Sequence, residues 1–134
     1  MWTLVAYAVA VLMDRLGTEI GIDVLRHLVL HELPASQGLW IVDSREELWS
    51  DLELMEELGL VELDRDRWVV IVREPGKLRA PAEKMRRAAE ALSSGGVPLP
   101  LEYLVRIERG AERVIGSGKT GFSWGGAWVV KTWF

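Results

Sequence analysis

The chain has no cysteine, which excludes disulfides, thiolate metal sites and a cysteine nucleophile together. It has no asparagine and one glutamine, Gln37. Amide side chains are the usual readers of adenine, so one base-recognition tool is nearly missing. Their depletion beside abundant Glu, Arg, Leu and Val suits a thermophile. The most apolar run, Met1 to Met13, stops at Asp14-Arg15, short of the roughly 20 residues that a membrane span needs. It also lacks the basic start and small-residue cleavage site of a signal peptide. The expectation is a cytoplasmic protein with no membrane contact. Histidine is scarce too: the only two, His27 and His31, fall with Asp23 on one face of a predicted helix. That spacing could ligate a divalent metal. With no third imidazole or thiolate to complete the shell, a polar stripe is the plainer reading, and no metal or cofactor is expected.

What is present is organised around Asp43 to Val72. Ser44 and Glu47 have the spacing of a capping box, which predicts a helix starting there. Leu48, Leu52, Met55 and Leu58 recur on one side of it, and Gly59 stands where a left-handed C-terminal residue belongs. Next, Val61 and Leu63 alternate with Glu62 and Asp64, the charged tip Asp64-Arg65-Asp66-Arg67 turns the chain, and Trp68 to Val72 runs back to Pro75-Gly76. This predicts a β-hairpin. The phrase LELMEELGLVEL, with a charged turn and a second strand after it, resembles the third helix and wing of the winged-helix family. Leu25 to Leu30 upstream is similar to uncharacterised prokaryotic members.

The resemblance implies an α+β winged-helix domain, three helices plus a β-hairpin wing, over residues 1–94 including a following helix. Residues 95–134 are expected to form a helical and β-hairpin extension on the same core. It also implies binding of duplex DNA in transcription regulation.

At 134 residues one domain is the simplest organisation. Met1 to Met13 is apolar nearly all round, so as a helix it must be buried, in the core or in a homodimer interface. A second helix is predicted over Ile20 to Leu33. Pro34 to Gly38 is a predicted loop, and Leu39 to Val42 a short strand able to pair with the hairpin. Pro81 to Leu92 is a predicted helix with Met85, Ala88, Ala89 and Leu92 inward. Ser93-Ser94-Gly95-Gly96 marks a short join. Leu101 to Ile115 fits helix or strand, helix being preferred on length, with Glu102 supporting Arg106. Gly125-Gly126 signals a hairpin in the tryptophan-rich end, whose rings either cover the core or a partner or stack bases.

The charge is uneven. Residues 1–66 carry four arginines and fourteen carboxylates, net −10; residues 67–134 carry twelve cations and six carboxylates, net +6. Either the halves pair with each other or the second presents a nucleic-acid face. The candidate phosphate contacts are Arg65 and Arg67 on the wing, Lys77 and Arg79 in the linker, and Lys84, Arg86 and Arg87 on the next helix. They would form one patch if that helix packed beside the hairpin. Against this, the third helix turns Glu46, Ser50, Glu53 and Glu57 outward, with Leu54 among them, a surface better suited to a protein partner than to a major groove.

No enzyme is expected. Gly116-Ser117-Gly118-Lys119-Thr120 imitates the end of a phosphate-binding loop, but Arg113 stands where the motif needs glycine and no helix is predicted to follow. No Ser, His and Asp combine as a triad, and nothing singles out a carboxylate pair for acid-base work.

Overall fold

The computed structural model describes residues 1–94 and 99–116 and the strands Ser123–Trp124 and Ala127–Trp128. In chain order these are α1 (Trp2–Leu16), β1 (Glu19–Gly21), α2 (Ile22–His27), a π-helical segment (Leu28–Gln37), α3 (Arg45–Glu57), β2 (Glu62–Asp64), β3 (Val69–Ile71), α4 (Pro75–Ser94), α5 (Leu99–Gly116), β4 (Ser123–Trp124) and β5 (Ala127–Trp128). The fold class is α+β, with five α-helices and a small three-stranded antiparallel sheet among the described residues.

Helix α1 is the centre of the core. Every residue from Val5 to Ala10 is buried, as are Leu12 and Met13. A helix with no polar face is stable only when neighbours cover all its sides, and α3, α4, α5 and β1 pack around it. It ends at Gly17, whose φ of 96° suits glycine and whose N–H reaches the Met13 carbonyl at 2.9 Å.

The three-stranded sheet has the order β1-β3-β2. Ile20, Val70 and Leu63 face one another across it and all three are buried, so one row of side chains fixes the register. The hairpin is as predicted, but its third strand is not Leu39 to Val42. That edge is taken by Glu19–Gly21, held further by Val72 N–H to the Thr18 carbonyl at 2.8 Å and Ile22 N–H to the Trp68 carbonyl at 2.9 Å. Leu39, Ile41 and Val42 instead give their side chains to the core from an irregular segment. Ile20 thus belongs to a strand, and the second helix begins two residues later than expected.

That helix also changes pitch. After His27 it widens into the π-helical segment, which runs through Pro34. Pro34 was expected to lie in a loop, since it has no N–H to donate. Burial of Leu28, Val29 and Leu33 against α5 holds the segment wound, and Gly38 closes it in the left-handed conformation.

Helix α4 starts at Pro75, so Lys77 and Arg79 lie in a helix rather than a linker, and Pro81 is inside it. Its inward side is Leu78, Ala82, the half-buried Met85 and Ala89, whereas Ala88 and Leu92 are exposed. Packing against both α1 and α5 sets this phase. Helix α5 resolves the ambiguous stretch as helix, with Leu104, Ile107, Ala111 and Val114 buried and Glu102 paired with Arg106. Strands β4 and β5 pair with Trp124 opposite Ala127, the register expected of a turn at Gly125-Gly126. Ser93 and Ser94 of the expected join instead end α4; that turn, Gly95 and Gly96 of the join, residues 117–120 of the loop imitating a phosphate site, and the aromatic residues Phe122, Trp133 and Phe134 lie outside the described residues.

Candidate interaction face on α3 and the hairpin

Ser44 caps α3 as its sequence predicts, its hydroxyl accepting the Glu47 N–H at 3.1 Å. The Glu47 carboxylate reaches past Ser44 to the Asp43 N–H at 2.7 Å, and that bond lowers its pKa. Leu48, Leu52 and Met55 anchor the helix in the core. Leu58, expected inward, is 47% exposed because it sits at the C-cap, where the chain leaves the helix through Gly59 at φ 78°. On the outer side Glu46, Ser50, Glu53, Leu54 and Glu57 are exposed.

The hairpin is tied to this helix by Glu56. One of its oxygens accepts the Leu63 N–H at 3.0 Å and the other an Arg65 N–H at 3.1 Å. The backbone bond first, then the guanidinium, hold the Glu56 carboxyl below its usual range. Arg65 also lies 3.7 Å from Glu53 and 5.5 Å from the ring of Trp49. Arg67 is held by Asp64 at 2.9 Å and Glu19 at 3.2 Å. Asp64 in turn accepts the Asp66 and Arg67 N–H groups, which shapes the tip. The chain leaves the tip through Trp68 at φ 62°, a left-handed conformation that is uncommon for so large a residue.

That conformation places Trp68 against Trp49, the rings 5.3 Å apart and 11° from parallel. Beside them lies an open groove of about 530 Å³ walled by Ile22, Leu48, Trp49, Leu52 and Trp68, with Arg26, Arg45, Glu46 and Ser50 at its rim. Arg26 is engaged by Asp23 at 2.8 Å. The sequence reading missed this groove. Trp49 and Trp68 sit on separate elements, and only the left-handed turn joins them.

The remaining predicted cations lie on α4, which packs on α1 and α5 rather than beside the hairpin. Arg79 pairs with Asp14 at 2.7 Å. Arg86 donates to the Tyr7 hydroxyl at 3.2 Å and to Glu90 at 3.2 Å, and also binds Glu108, to which Tyr7 donates. Burial and the Glu108 carboxylate push the Tyr7 hydroxyl up to about 12. The Lys77 ammonium lies against Gly59. Lys84 and Arg87 are exposed and make no ion pair among the described residues. The seven cations therefore fall into two groups, Arg65 and Arg67 at the hairpin tip and the other five on α4.

His27 and His31 stand with ring centroids 5.7 Å apart, and Asp23 faces Arg26. Among the described residues no three His, Asp or Glu side chains converge as a metal would require, and no helix is long and apolar enough to cross a membrane. No protein-family model, curated protein or solved structure matches the chain.

Proposed function

We propose that this chain is a non-enzymatic protein-interaction module on a winged-helix layout, with α3 and the hairpin as its binding face. The layout is supported by the order α1-β1-α2-α3-β2-β3 and the sheet order β1-β3-β2, in which α3 takes the place of the recognition helix and β2-β3 that of the wing. The observation that carries the reading is the charge of that face. Glu46, Glu53 and Glu57 project from α3, and both wing-tip arginines are held by carboxylates of the same chain. A carboxylate about 6 Å from a phosphate costs roughly 0.7 kcal/mol in water before screening. Three of them would remove about 2 kcal/mol from a non-specific affinity of roughly 5 to 8 kcal/mol. The wing would return little of it, because its arginines would first have to leave their present partners.

A salt titration of duplex DNA binding tests this. The wild-type chain should not retard duplex DNA at low salt, whereas an E46K/E53K/E57K variant should. The rival reading is a DNA-binding transcriptional regulator, favoured by Lys84 and Arg87, whose charges are exposed and unpaired among the described residues. Wild-type binding that falls steeply with salt, and less steeply in an R65E/R67E/R87E variant, would establish the rival instead. Sedimentation over a range of concentrations separates a second copy of this chain from a different protein as the partner.

A further inference from the structure

Resting on that reading of α3 and the hairpin, we infer that the partner is a cationic amphipathic segment that seats one apolar side chain in the groove beside the stacked rings of Trp49 and Trp68.

The groove itself sets the anchor. Its walls are Ile22, Leu48, Leu52 and two tryptophans, and about 530 Å³ lies within the range of pockets that take a small ligand or a large side chain. The aromatic wall is already in place. Trp68 is held against Trp49 in a left-handed conformation, and Arg65 backs the Trp49 ring, so little ordering is left to occur on binding. Burying one leucine-sized side chain there is worth about ten- to a hundredfold in affinity.

The flank of the groove sets the charge. Glu46, Glu53 and Glu57 follow one another at helical spacing along α3 beside Trp49. Glu46 and Glu57 make no ion pair among the described residues, and Glu53 shares Arg65 only at 3.7 Å. Beyond this stripe Leu54 and Leu58 are 38% and 47% exposed. A segment with lysines or arginines over the stripe and apolar residues on either side complements all three features. Arg45 marks the end of the groove over which the partner's cations do not lie. An anionic membrane surface or a nucleic acid would set phosphate against the same stripe, which the charge disfavours.

The test is selection of short random peptides displayed on phage against the full chain, followed by binding of the selected peptides to two variants. Trp68→Gly removes one of the two aromatic walls at a backbone angle that glycine adopts freely, so the variant keeps its fold. The pair Glu46→Gln, Glu57→Gln removes charge at constant shape. The expected peptides are net positive with large apolar residues on either side of the cations. They should bind Trp68→Gly about tenfold or more weakly and the glutamine pair several-fold more weakly, with less dependence on salt. Selected peptides that are acidic or uncharged but still need Trp68 would overturn the cationic partner and leave the interaction face standing. Peptides indifferent to both variants, or no selection at all, would overturn the docking site. Salt-dependent retardation of duplex DNA would bring down the underlying reading itself.

Discussion

Gly59 and Trp68 both have positive φ, 78° and 62°, yet only the first is the residue type that the conformation favours. At Gly59 the helix ends and β2 begins. An added Cβ would meet only the end of the Lys77 side chain, at 2.8 Å from its nitrogen, and that chain can swing away. The cost of Gly59→Ala is therefore mostly backbone, about 1–2 kcal/mol, and denaturant unfolding should show it as a shifted midpoint with an unchanged slope. At Trp68 a comparable strain is offset by the stack on Trp49. Tyr7 supplies a second prediction. Its folded pKa of about 12 lies above an unfolded value of about 10, so the stability it contributes is complete below about pH 10 and is lost as pH rises through 12. Tyr7→Phe should abolish that alkaline loss. A mutant that loses stability over the same range as the wild type would show that Tyr7 is not responsible.

Among elements, α5 packs tightly on the π-helical segment at Gly110. A Cβ on Gly110 would stand 2.5 Å from Leu33 Cδ2 and 3.3 Å from Leu28 Cδ1, and both leucines are fully buried. Alanine would gain about 1 kcal/mol of helix propensity, but overpacking costs about 1–3 kcal/mol. Gly110→Ala should therefore be neutral to destabilising by about 2 kcal/mol, where the same change on an exposed helix face would stabilise; a raised melting temperature would contradict the packing. The tie between α3 and the wing has its own test. Glu56→Ala leaves the Leu63 N–H without its acceptor, so hydrogen exchange at Leu63 should speed up while the amides of α1 keep their protection.

Across the whole molecule, part of the opposed charge of the two halves is paired, half against half. Arg67 binds Glu19, Arg73 binds Glu62, Arg79 binds Asp14 and Arg113 binds Glu32; each joins a cation after residue 66 to a carboxylate before it. Each is exposed on at least one side and individually worth little, but several carboxylates are held low together. In Glu56 and Asp64 a backbone N–H is the leading cause, and in Glu62 it is the Arg73 guanidinium. Groups with depressed folded pKa values stabilise above their unfolded values and lose that stability as pH falls through the folded ones. The melting temperature should thus be level above about pH 5 and fall below about pH 4. A melting temperature unchanged down to pH 3 would mean that the bonds holding Glu56, Glu62 and Asp64 contribute nothing.

The sequence alone determined what depends on neighbours along the chain. The Ser44 cap, the stop at Gly59, the hairpin with its charged tip and the buried first helix were legible because each is set by a few adjacent residues or by one repeating period. The exposure of the acidic stripe on α3 followed from the same periodicity. Tertiary structure decided which distant backbone takes the free edge of β3, the pitch of the segment after His27, the phase of α4 and the partners of the arginines. A strand edge accepts any extended segment that can reach it, a turn of helix widens or tightens according to what it packs on, and a long cation finds whichever carboxylate the fold brings within reach. The groove beside Trp49 and Trp68 belongs to this second kind. It exists because a left-handed residue at the end of the hairpin lays one ring on another, and no local pattern in the chain specifies that contact.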